Sequence, residues 1–139
     1  MDDRPERLDV ELIGWKPEYS TGNSEIDLQH QYFFQLILRL NEELKKTSDA
    51  DYRNRLLWEL NKYVEFHFQS EENILRKTAN EGLESIAILH ESLMAELAGN
   101  IQSAMMGMIS PEEIIDFLAN WFIQHTVDDD KRTFLGNKG

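Results

Sequence analysis

The chain has 139 residues, 41% of them hydrophobic, and a formal net charge of -12. Such a length suits one domain around one core, and such acidity argues against a phosphate-backbone partner, so no nucleic acid is expected. With no cysteine in the chain, disulfides, thiolate zinc sites, iron–sulfur clusters and cysteine nucleophiles are excluded together.

No apolar run approaches the roughly 18 residues of a membrane span, so membrane contact is not expected. The opening MDDRPERLDV carries charge and no apolar signal core, which predicts a cytoplasmic location. Residues 1–22 read as an extended arm, because GWKPEYSTGN carries glycine, proline and asparagine turn signals. Trp15 and Tyr19 are expected to pack on the core. Residues 23–139 read as a single helical domain.

The first helix is expected from Asn23 or Ser24 to Lys46, with Ser24 as cap. Its apolar stripe is Ile26, Phe33, Ile37, Leu40 and Leu44, and His30 lies within it. A second helix over 50–77 turns Leu56, Leu57, Leu60, Val64, Ile74 and Leu75 inward. A third over 81–106 buries Leu83, Ile86, Leu93, Leu97 and Ile101. Met105, Met106 and Met108 near its end suit core gaps or a frayed turn. The fourth opens with SPEE, where Ser110 caps, Pro111 takes the first helical position and Glu113 follows three residues after the cap. It should reach Lys131 and bury Ile114, Leu118, Trp121 and Phe122. Four helices with short connections predict an all-α fold, an antiparallel up-down-up-down four-helix bundle.

His30, His67, His90 and His125 are the four histidines, one per helix, each on the buried stripe. At the rise of an α-helix they lie roughly 9, 15, 14 and 9 Å below one end of the bundle. Helix ends uncertain by about two to four residues make these one layer. Glu71, four residues after His67 on the same face, and Asp130 belong near that layer. One buried histidine is ordinarily satisfied by a hydrogen bond; four converging beside two buried carboxylates are costly unless cations are present. Neutral imidazoles and carboxylates are metal ligands, and six of them exceed the needs of one zinc. Two bridged metals fit the count, with iron or manganese favoured over copper or calcium. A ferritin-like site is excluded, because it needs two Glu-x-x-His units. The positions three before each histidine hold Asp27, Val64, Ala87 and Phe122.

Several motifs together resemble bacterial hemerythrin: Trp15-x3-Tyr19-x2-Gly22-Asn23, IDLQHQYFF around His30, HFQSEE around His67 and Glu71, a histidine in the third helix, and Trp121-x3-His125-x4-Asp130. The resemblance spans nearly the whole chain and implies a non-haem di-iron domain that binds O2 or a similar small diatomic or anionic ligand. It places one iron (Fe2+/Fe3+) on His30 and His67 and the other on His90 and His125. Glu71 and Asp130 would bridge them, with an oxo or hydroxo group as third bridge. It implies that Phe33, Trp121, Phe122 and Thr126 line the O2 pocket. His125 and Asp130 are five residues apart, so a regular helix would not align them and a distorted last turn is expected. Asp128 and Asp129 are expected to face solvent or to cap.

Two positions depart from the family pattern. Its third helix carries H-x3-H, whereas SIAILHESL has Ile86 at the first position and His90 at the second. Thr126 stands where the family has an aliphatic residue. An imidazole short and with a hydroxyl in the pocket, the centre should oxidise readily, which favours an oxygen or redox sensor. The domain would then regulate a larger signalling protein such as a diguanylate cyclase or chemoreceptor, and would not itself be an enzyme. A reversible O2 carrier or store is the alternative. A di-iron oxidoreductase acting on peroxide or nitric oxide, and a metal-free interaction bundle, carry less weight.

Overall fold

The computed structural model describes residues 14–78, 80–130 and 133–134, with the side chains at 126–128 outside the described set. A 3-10 turn, Pro17–Tyr19, precedes four helices: α1 (Ser24–Lys46), α2 (Ala50–Lys77), α3 (Leu83–Met105) and α4 (Pro111–Gln124). A π-helical segment, His125–Asp130, continues α4. No strand occurs among the described residues. Each helix packs on its chain neighbour and α4 closes against α1, which gives the antiparallel bundle that short connections require.

Local chemistry sets the helix ends. Asn23, not Ser24, caps α1: its Oδ1 accepts from the backbone N–H of Ile26 at 3.0 Å while its own backbone stays extended, as an N-cap demands. Asp49 caps α2, accepting from the N–H groups of Asp51 and Tyr52. Ser110 caps α4 with Pro111 in its first turn, as SPEE predicts. Gly107 terminates α3 at φ 78. There the N–H of Met108 reaches the Ser103 carbonyl at 2.9 Å, a left-handed C-terminal closure that glycine adopts without a Cβ penalty.

The predicted stripe of α1 is buried throughout, as are Leu56, Leu57, Leu60, Val64 and Leu75 of α2. Ile74 and Leu83 are only half-buried, because each sits near a helix end where fewer neighbours cover it. Met105, Met106 and Met108 are exposed, so they fill no core gap; they lie at the end of α3 and in the turn that closes it. Trp15 and Tyr19 pack against the core, Tyr19 stacking on Phe34 with ring centroids 5.9 Å apart. The arm is fixed by Asp27, whose carboxylate accepts from the Thr21 N–H at 2.9 Å, the Thr21 hydroxyl at 2.9 Å and the Ser20 hydroxyl at 2.7 Å. Asp27 is therefore committed to the arm, one turn from His30.

Arg53 on α2 ties the other end together. Its guanidinium donates to the Leu44 and Thr47 carbonyls at the C-terminus of α1 and to Glu112 on α4 at 2.7 Å. Leu97, fully buried on α3, stands in the apolar core. Leu97→Ala should lower unfolding free energy by about 2–5 kcal/mol in denaturant titrations while leaving metal content per folded chain unchanged.

Candidate metal centre

The four predicted histidines meet at one level of the bundle with Glu71 and Asp130 between them. His30, His67, Glu71 and Asp130 are fully buried, and His90 and His125 nearly so. Glu71 reaches all four rings. Its Oε1 lies 2.6 Å from His67 Nε2 and 3.5 Å from His30 Nε2, and its Oε2 lies 3.2 Å from His90 Nε2 and 3.5 Å from His125 Nε2. Asp130 spans the same divide: Oδ2 is 2.9 Å from His30 Nε2 and Oδ1 is 2.8 Å from His125 Nε2. Each carboxylate thus presents one oxygen to each pair of imidazoles. Two ligand sets result, His30–His67–Glu71–Asp130 and Glu71–His90–His125–Asp130, and within each set the ligand atoms lie within 4.8 Å of one another.

The helical periods produce this convergence. His67 and Glu71 are one α-helical turn apart on α2. Five residues along an α-helix would separate His125 and Asp130 by about 140°. The π-helical segment that begins at His125 closes its hydrogen bonds over five residues instead and brings both side chains to one face. The expected distortion of the last turn is therefore a change of helix type.

The outer ring nitrogens also have partners. His67 Nδ1 lies 2.8 Å from Gln29 Oε1, His90 Nδ1 2.9 Å from Glu72 Oε2, and His125 Nδ1 3.3 Å from Asp129 Oδ2. An acceptor at Nδ1 holds the proton there and leaves the Nε2 lone pair pointing inward, the tautomer a metal ligand needs. Asp129 is accordingly engaged with His125 and does not merely face solvent. Gln29 and Glu72 were not legible as partners; Glu72 adjoins Glu71 in sequence, but which ring it meets depends on the packing of α2 against α3.

Aromatic rings seal the layer from two sides. Phe122 meets His30 edge-on at 5.2 Å and stacks on Phe33 at 4.1 Å. On the other side Phe68 stacks on His90 at 3.8 Å and Trp121 on His125 at 4.6 Å. Phe33 and Phe122 therefore lie with the His30–His67 pair, whereas Trp121, half-buried, backs a ligand on the opposite side. Phe68 went unnoticed in the sequence because it neighbours His67. Thr126 has its side chain outside the described residues, as does Asp128. Ile86 is buried at 4% exposure, one turn before His90 on the same face of α3.

The chemistry of the donors fits a cationic group. Nε2 of His67, both oxygens of Glu71 and Oδ1 of Asp130 are buried without a hydrogen-bonding partner, an arrangement that is costly unless something positive shares the space. The His67–Glu71 contact at 2.6 Å is close in distance but misaligned for a hydrogen bond, as expected for two groups aimed at a common point. Protons otherwise compete for that charge. Burial disfavours protonation of His30, but Asp130 and Glu71 outweigh it and raise its pKa to about 9. Burial opposes protonation of His125 as well, yet Asp130, Asp129 and Glu71 hold its pKa well above 6.5. Glu71 is pulled well below 4.5 by the imidazoles despite its burial, whereas burial and the charge of Glu71 push Asp130 up from 3.8.

Comparison with known proteins places the chain and its fold in a known class. The family described as Hemerythrin HHE cation binding domain matches residues 21–134, and the chain belongs to the hemerythrin family. A bacteriohemerythrin of Clostridium acetobutylicum is 27% identical over 125 residues, covering 86% of this chain and 97% of that protein. The crystal structure of wild-type hemerythrin superposes with a TM-score of 0.79 at 23% identity, covering 89% of this chain and 96% of the other. A leucine-to-tyrosine variant of hemerythrin superposes equally well, at 90% and 96% coverage. No described helix is long and apolar enough to cross a membrane.

The elevated His30 pKa sets a pH dependence. A raised folded-state value contributes stability that is complete below the unfolded value near 6.5 and disappears as pH rises through about 9. The metal-free protein should melt at progressively lower temperature across that window. A metal must displace the same proton, so affinity for Co2+ should rise with pH over the window, with protons released into weak buffer. An affinity flat in pH would contradict this assignment.

Proposed function

We propose that this chain is a non-haem di-iron domain that binds O2 and serves as a sensor of oxygen or redox state. The observation that carries the reading is the division of each carboxylate, Glu71 and Asp130, between the two imidazole pairs. Such a set suits two adjacent cations bridged by both acids, and mixed imidazole and carboxylate donors favour iron or manganese. His30 and His67 would hold one iron and His90 and His125 the other, with Glu71 and Asp130 shared between them. When bound, the iron pair supplies reversible redox chemistry toward O2 or a similar small ligand.

The chain's own residues do the rest. The acceptors at Nδ1 hold His67, His90 and His125 in the ligating tautomer. Phe33 and Phe122 keep water from the His30–His67 side, and Phe68 and Trp121 restrain the rings of His90 and His125. Among the described residues, the acids and imidazoles at this level are the candidate ligands and the outer partners of their rings, which favours binding over catalysis. Ile86 supplies no donor where the family pattern has a histidine, so the His90–His125 side has one imidazole fewer and room for water or another ligand. That deficit favours ready oxidation, and with it sensing over carriage. A fused or separate signalling output domain, of the diguanylate cyclase or chemoreceptor kind, would read the change. The matched relative is itself a bacteriohemerythrin, which keeps a reversible carrier as the second reading. We take the domain as residues 23–139 with 1–22 as its arm, of which 1–13 and 135–139 lie outside the described residues.

Purified, iron-loaded protein should contain about two irons per chain, the number the ligand sets accommodate, and should turn diferric quickly in air with no lasting oxygen adduct. His67→Ala and Glu71→Ala should each abolish two-iron stoichiometry while helical circular dichroism persists. A long-lived oxy form in the unaltered protein would favour the carrier, and absence of bound iron would end the di-iron reading. Ile86→His should slow oxidation and prolong the oxy form; an unchanged rate would assign Ile86 to packing alone.

A further inference from the structure

The two imidazole pairs differ in the charge that stands behind them. On the His30–His67 side the outer partner is a neutral amide, Gln29, and His30 Nδ1 is buried with no hydrogen-bonding partner. On the His90–His125 side both outer nitrogens face carboxylates, Glu72 at 2.9 Å and Asp129 at 3.3 Å. Glu72 and Asp129 are themselves mostly covered, at 21% and 33% exposure, so solvent screens their charge only in part. The pair backed by two anions is also the pair on α3 and α4 that lacks a third imidazole because Ile86 precedes His90.

We propose that Glu72 and Asp129 are positioning residues that make the two metal sites electronically unequal, so that the His90–His125 site is the first to give up an electron. A carboxylate accepting from Nδ1–H increases the electron density at Nε2 and stabilises the more highly charged metal. Two such partners replace, as negative charge behind the ligands, part of the donation that an imidazole at position 86 would provide. Gln29 supplies orientation without charge, and the His30–His67 site keeps its electron longer. The electron count is simple: one electron passes from the metal at the His90–His125 site to an outer-sphere oxidant such as ferricyanide, or to O2. No bond within the imidazole–carboxylate pairs is broken. Phe68 and Trp121, stacked on these two rings, hold them in register with their acceptors.

The inference rests on the di-iron reading, and the test separates the two. The intact 139-residue chain is loaded anaerobically with Fe2+, its iron content measured, and the two one-electron steps followed by ferricyanide titration with Mössbauer spectroscopy. In the unaltered protein the steps should be resolved. Glu72→Gln and Asp129→Asn should each raise the potential of the first step, with little change in the second, since loss of negative charge favours the reduced metal. Gln29→Glu should lower the potential of the second step and narrow the gap between them. Glu72→Asp should restore the first step toward its original value. A separate measurement, Co2+ affinity, should fall about 10–100-fold in Glu72→Gln. Should Glu72→Gln fail to fold, Asp129→Asn and Gln29→Glu decide the matter. Two irons per chain with potentials unmoved, or with both steps moved equally, would overturn the inequality while leaving the di-iron reading intact. An iron content far below two would overturn both.

Discussion

The structure turns on two carboxylates that have no access to water. Glu71 and Asp130 are fully buried among four imidazoles, and neither acid has enough hydrogen-bond donors to satisfy its oxygens. Two anions in a low-dielectric interior repel each other and forfeit hydration, a penalty of several kcal/mol per ion. Cations alone offset it. Without metal that role falls to protons, in keeping with the upward shifts of His30 and His125, the downward shift of Glu71 and the upward shift that burial and the charge of Glu71 impose on Asp130.

Much of the surrounding architecture serves to bring those groups to one level. Asn23, Asp49 and Ser110 fix where three helices begin, and so fix the depth at which His30, His67 and His125 arrive. The change from α- to π-helix at His125 rotates Asp130 onto the histidine's face. Local hydrogen-bond geometry is given up there for alignment with the site, a compromise characteristic of functional segments. The aromatic rings divide between the two sides, which gives each imidazole pair its own surroundings.

That division bears on the departure at Ile86. With one imidazole fewer, the His90–His125 side would gain an open position and lose one donor to the metal it holds. Here the outer carboxylates of Glu72 and Asp129 stand on the side that Ile86 leaves short, and a neutral amide stands on the other. Under the proposed di-iron reading, this asymmetry would set the order in which the two sites lose electrons.

Much was readable from the residues alone. Period and capping chemistry gave four helices, including the full extent of α2 but not the change to π-helix after Gln124, and one histidine per stripe pointed to six candidate ligands. These are properties of spacing, and helix geometry turns spacing into direction and depth. The errors arose where two local solutions were close in energy or where a long-range contact decided. Asn23 and Ser24 are both good caps, and the path of the arm pinned by Asp27 selected Asn23. Met105, Met106 and Met108 are exposed at the end of α3 and in the turn beyond it, where the bundle leaves them uncovered. The partners Gln29, Glu72 and Asp129 needed tertiary structure most of all. A polar side chain on a helix can face water or a neighbouring ring, and only the rotation of one helix against the next settles which ring it meets.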